Sequence, residues 1–168
     1  MSISTHREEV LGLAYTHFSQ ALFKDPLPPC EVRLTEEAEE VFGFFAPQPP
    51  DRSLPRIFMH ASFCSYARPV VTMQWLVHEM VHLWQFYYGT PCPDRGHNRQ
   101  FAQKSLSVGL VPSSTGRLGG ARTGPVILDY PVHGGRFDRA VRVFERYWTE
   151  TDGRPASKDL SAATARAL

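Results

Sequence analysis

The chain has 168 residues, 42% of them hydrophobic and 21% charged, with a formal net charge of +1. That is enough for one domain with a sizeable core, and it excludes the disordered, collagen-like and disulfide-scaffold classes. No apolar run reaches the ~20 residues of a membrane-spanning helix, and residues 1–10 lack the apolar stretch of a secretory leader.

Residues 5–23 read as a helix, because Val10, Leu13, Ala14, His17, Phe18 and Ala21 recur at helical spacing. Glu8 and Glu9 fall in its first turn, where the helix dipole favours negative charge. Pro26, Pro28 and Pro29 end it, since proline cannot continue the hydrogen-bond ladder. Short strands are expected at 30–34, 41–45 and 56–59. Between the first two, residues 36–40 form a charged turn or a short helix. Residues 46–55 read as a loop, and 60–69 as irregular chain or a short turn.

Residues 70–88 form the longest helix, apolar nearly all round and therefore buried. Gly89, Pro91 and Pro93 stop it. A further helix spans 98–108, with Asn98 as its cap and Gly109 as its stop. Residues 112–124 are an extended loop, 126–130 a strand and 137–149 a last amphipathic helix. From 151 the composition turns small and polar, as in a frayed tail. The expected architecture is α+β: a single domain over 1–150 with a small sheet packed on the long helix and its neighbours, and a tail over 151–168.

The long helix carries His78-Glu79-Met80-Val81-His82, an HExxH pattern. Residues four apart on a helix share a face about one turn apart, so both imidazoles can reach one metal ion. Glu79 is then placed to take a proton from a water at that metal, the arrangement of a zinc-dependent hydrolase. Unpaired ionisable groups are costly in an apolar helix, and a metal explains why these are tolerated.

A catalytic zinc site needs a third protein ligand. Tyr88 stands where a metzincin needs histidine, and residues 95–128 hold no acid to act as a thermolysin-like glutamate. His97 is the best candidate, because a helix hairpin after Gly89 returns it toward His78 and His82. His133 and Asp94 are the alternatives, and Cys92 reads as a loop thiol. Tyr130, His133 and Arg136 are candidates to stabilise an oxyanion, and each also has a plain structural reading. The aromatic run Trp84, Phe86, Tyr87 and Tyr88 reads mainly as core, with one or two rings available to a substrate cleft or an unpaired base.

The three cysteines, Cys30, Cys64 and Cys92, are scattered and odd in number, as in a cytoplasmic protein with reduced thiols. Charge is uneven along the chain. Residues 8–51 hold nine acidic side chains against two basic ones, and residues 95–142 hold eight basic against two acidic. The basic second half is a candidate surface for an anionic partner such as single-stranded DNA.

His78-Glu79-Met80-Val81-His82-Leu83-Trp84-Gln85, followed by Arg95-Gly96-His97-Asn98-Arg99-Gln100-Phe101, resembles the SprT-like zinc metalloproteases, the Spartan-related family. Gly134-Gly135-Arg136-Phe137-Asp138-Arg139-Ala140 is similar to a late stretch of compact bacterial and mobile-element members without a zinc ribbon, and the resemblance covers roughly residues 28–143. It implies a zincin-like α+β fold, zinc on His78, His82 and His97, a catalytic Glu79 and a protein or peptide substrate. Three scattered cysteines do not build the four-cysteine zinc ribbon of many members, so any DNA contact would rest on the arginines of the second half. Two other readings stand beside a protease acting on DNA-associated or DNA-crosslinked proteins. One is a protease with no nucleic-acid role, a regulator or antagonist toxin. The other is a non-enzymatic, zinc-bearing DNA-associated module, which would have no use for Glu79.

Overall fold

A computed structural model describes residues 3–37, 42–47, 54–94 and 96–150 of the chain. The tail expected from 151, and parts of the expected 36–40 turn and 46–55 loop, lie outside the described residues. The fold is mixed α+β, with a small sheet and several helices. Helix α1 (Ile3–Leu22) is followed by strands β1 (Glu31–Thr35), β2 (Gly43–Ala46) and β3 (Arg56–His60). Helices α2 (Ala61–Tyr66), α3 (Pro69–Tyr88) and α4 (Arg99–Val108) come next, then strands β4 (Leu110–Val111) and β5 (Tyr130–Pro131) and helix α5 (Arg136–Glu150). No helix among the described residues is long and apolar enough to cross a membrane.

Helix α3 packs against α1, α4, α5 and the sheet, as its nearly continuous apolar surface requires. Met73, Leu76, Val77, Met80, Val81 and Leu83 are all fully buried. On the far side, Phe18 of α1 meets Phe137 and Phe144 of α5 at ring separations of 6.0 and 5.8 Å. The first sheet has the order β1-β3-β2, with β1 parallel and β2 antiparallel to β3. Strand β2 is therefore an edge, and it lies against α3.

Two segments depart from the sequence expectation. Residues 61–66, expected as irregular chain or a turn, form α2, which buries Phe63 and Cys64. Tertiary burial outweighs the weak helix preference of serine, cysteine and tyrosine there. The strand expected at 126–130 shrinks to β5, paired with β4. The chain before it is drawn aside because the Leu128 and Asp129 carbonyls both accept from Gln74 Nε2 at 3.2 Å. Asp129 takes a positive φ of 43° in doing so.

Gly109 ends α4 in the left-handed conformation, φ 97°. A Cβ there would sit 2.7 Å from the Phe137 backbone nitrogen. Gly109→Ala should therefore cost about 1–3 kcal/mol of stability. Gly12 lies within α1 with nothing within 4 Å of an added Cβ, so Gly12→Ala should gain about 0.5–1 kcal/mol. Urea midpoints of the two variants should move in opposite directions, and parallel shifts would contradict this account of Gly109.

Candidate metal centre

Helix α3 starts where Arg68 is held extended by the following Pro69, a residue well suited to a helix N-terminus. Its regular 3.6-residue turn sets His78 and His82 on one face. The return to His97 is fixed by a side-chain network. Gln85 Nε2 donates to Asn98 Oδ1 at 2.7 Å and to Gln100 Oε1 at 3.2 Å. Thr90 N donates to the same Gln100 oxygen at 2.6 Å, and Asn98 Nδ2 donates to Thr90 O at 2.9 Å. Asn98 also caps α4 by accepting from Phe101 N. A Cβ at Gly89 would collide with the Gln100 side-chain amide, so a larger residue there would have to push that amide out of the network.

His78, His82 and His97 converge, with one ligand atom from each within 4.8 Å of the others. The His97 Nε2 lies 3.1 Å from the Nε2 of His78 and 3.1 Å from that of His82. Phe101 backs all three rings at 4.5–5.0 Å.

The outer nitrogens decide what lies between the inner ones. His97 Nδ1 faces the Gly124 carbonyl at 3.1 Å, and a carbonyl only accepts, so Nδ1 carries the proton. His78 Nδ1 is bonded to the Asp129 carboxylate, which likewise takes the N–H. In the neutral rings both Nε2 atoms then offer lone pairs toward the same point. A four-coordinate ion with metal–nitrogen bonds of ~2.0–2.1 Å sets its donors about 3.3 Å apart, close to the observed spacing. The donor set therefore fits a metal ion.

Burial acts differently on the three rings. Burial, then the charge of His78 and His97, pushes the His82 imidazole down to about 2. Burial and His78 push His97 down to about 4. Both rings are thus neutral and able to act as donors. Burial would lower His78 as well, but the charge and hydrogen bond of Asp129 turn the net shift upward. Burial raises Glu79 to about 6, against the pull of His78 and the Phe45 backbone amide. The Glu79 carboxylate is ionised at neutral pH and can accept a proton.

The three imidazoles and Glu79 open onto a cleft of about 530 Å³. One wall is formed by β2 and the residue before it, another by residues 125–128, and the floor by α3. The 112–124 loop ends by pairing with the ligand segment: His97 N donates to Gly124 O at 2.8 Å and Gly124 N to His97 O at 3.0 Å.

His78, His82, His97 and Glu79 all come together at the cleft, as the sequence implies. The alternatives do not join them. Asp94 Oδ1 accepts from Gly96 N within its own turn. Cys92 borders the cleft outside the three-histidine cluster, and all three thiols are free. Neither Tyr130, His133 nor Arg136 lines the cleft. Arg136 instead donates to Ser107 O of α4 and Ala21 O of α1, tying two helix ends together. Of the aromatic run, Phe86 lines the cleft, Trp84 is half-buried under Lys104, and Tyr87 and Tyr88 are exposed.

Asp129 is the functional residue that sequence reasoning missed. A usable signal was present: it is the first acid after residue 94 and stands in the apolar run Val126-Ile127-Leu128-Asp129-Tyr130. A carboxylate in such a setting needs a partner.

No family model matches the chain, and no curated protein or solved structure matches it.

Asp129→Asn should keep the fold but lower metal affinity about 10–100-fold, the usual effect of losing a carboxylate behind a ligating histidine. His97→Ala should abolish stoichiometric binding. Competition titration with a chromogenic chelator measures both, and unchanged affinity in Asp129→Asn would remove the supporting role given to that carboxylate.

Proposed function

We propose that this chain is a zinc-dependent metallopeptidase with a zincin-like fold, of the SprT-like type that its motifs resemble. One observation carries the reading: three buried imidazoles converge beside the Glu79 carboxylate at an open cleft. Zinc is the natural occupant of three nitrogen donors that leave one coordination place free. A purely structural site is usually closed by a fourth protein ligand, and none joins these histidines among the described residues.

When bound, zinc would polarise both the scissile carbonyl and the attacking water. The residues supply the rest. His78, His82 and His97 hold the ion, with Asp129 and Gly124 O fixing the ring orientations of His78 and His97. Glu79 takes the proton from the water as it attacks and delivers it to the leaving amine. The apolar walls limit competing water, which strengthens charge interactions within the cleft. A peptide fits the site because the outer edge of β2 is unpaired among the described residues and can take an added strand.

The DNA-linked form of this reading rests on the arginines of the second half. Arg136, Arg139 and Arg142 all make hydrogen bonds within the fold. Among the described residues this leaves the side chains of Arg99, Arg117 and Arg122. Three phosphate contacts on a single strand give a salt slope of only about −2, a weak anchor. The proposal is therefore a cytoplasmic peptidase whose cleavage does not require nucleic acid.

Two measurements test it. Zinc-loaded wild-type protein should cleave a denatured protein substrate, and Glu79→Gln should retain the metal while losing about 10²–10⁴-fold in rate. Full activity of that variant would overturn the mechanism. Single-stranded DNA at low salt should leave the rate unchanged, and strong stimulation would restore the DNA-linked reading.

A further inference from the structure

Two aromatic pairs bracket the three imidazoles along α3. On one side, Trp75 lies 5.1 Å from the His78 ring and 4.8 Å from Phe42. On the other, Phe86, one turn beyond His82, meets Phe45 at 5.8 Å. Each pair joins a residue of α3 to one on β2 or just before it, and all four rings line the cleft. Phe42 and Phe86 keep 39% and 41% of their surface exposed although each has an aromatic neighbour. We propose that the cleft takes an extended peptide with large apolar side chains about four residues apart, seated on these two pairs, with the bond to be cut between them. This deepens the peptidase reading above and rests on it.

Spacing is the first support. Trp75 and Phe86 are eleven positions apart, about 16 Å along a helix. In an extended chain, side chains at i and i+4 share a face and lie about 13 Å apart. The difference of ~3 Å is within the width of an aromatic ring. The charge of the cleft is the second. Apart from Glu79, no Asp, Glu, Lys or Arg side chain lines it among the described residues. A lysine or glutamate of the substrate seated there would lose its water and find no partner, whereas a phenylalanine or leucine would bury its surface at a gain. The third support is the unpaired edge of β2, which holds an added peptide extended and so fixes the two-residue side-chain period.

The test uses short fluorescein-labelled peptides identical except at positions i and i+4, which carry phenylalanine, lysine or glutamate. Binding is read by anisotropy on zinc-loaded Glu79→Gln protein, and cleavage by mass spectrometry with zinc-loaded wild type. The phenylalanine peptide should bind at least about tenfold tighter than either charged one. Phe86→Asp, a change at a partly exposed position, should erase that margin. Phe42→Ser should do the same from the other end. Cleavage with no preference, or with a preference for charged side chains, would overturn the two apolar seats and leave the peptidase reading standing. Selective binding of the phenylalanine peptide without cleavage by wild type would support the seats and count against the peptidase reading. Neither binding nor cleavage would sink both.

Discussion

Three buried imidazoles turn their Nε2 atoms toward one point, His97 lying 3.1 Å from both His78 and His82, and such crowding of nitrogen needs a shared proton or a cation at its centre. Each bare acceptor left without a partner costs about 1–3 kcal/mol. Here the His78 and His97 acceptors face each other, with His82 completing the triangle. A divalent ion held there would turn that cost into a gain, on the order of 10–16 kcal/mol if it were tightly held zinc. Against a total stability of about 5–15 kcal/mol for a typical domain, such an ion would dominate the local energetics. The elements around it are accordingly arranged to keep the nitrogens bare and aimed inward.

Asp129 shows what that arrangement requires. Its backbone sits at φ 43°, a conformation costing a non-glycine residue about 1–3 kcal/mol. Its Oδ1 is buried without a hydrogen-bond partner. Strain and an orphaned oxygen persist only where the surroundings impose them. Gln74, one turn before His78 on the same helix, clamps the carbonyls of Leu128 and Asp129. Helix α3 therefore supplies both a ligand and the hook that delivers the carboxylate behind it. Gly124 plays the matching part for His97 and accepts its Nδ1 proton.

How far the site can be read from sequence depends on how local each contact is. His78, Glu79 and His82 are legible because one helical turn determines their geometry. His97 is nearly as legible, since the Gly89 stop and the Asn98 cap force a tight hairpin. Asp129 is not, because its partner lies 51 residues away and joins through irregular chain. The same holds for Phe45, brought to the cleft by the pairing of β2 with β3, and for Phe42 just before it, whose carbonyl accepts from His60 N. The strand expected at 126–130 fails for a related reason: its apolar run suits a strand, but the pull of Gln74 and His78 on Asp129 outweighs ladder pairing. The resemblance to SprT-like proteases rests on the local motifs, the part of a sequence least dependent on tertiary context.

Rigid and adaptable parts of the site are divided accordingly. The three histidines and Glu79 stand on α3 or directly before α4, locked by buried packing and the Gln85–Asn98–Gln100 network. Groups that must hold ~0.5 Å tolerances belong on such elements. The cleft walls belong instead to a short edge strand and to irregular residues 125–128, where changes of side chain cost the core little. Such a division lets one metal centre be combined with different clefts. In this chain the cleft is aromatic and almost uncharged, so Glu79 is its one ionised carboxylate among the described residues. Burial there holds its pKa up against the pull of His78, and a charged side chain entering the cleft would find no other charged partner among the described residues.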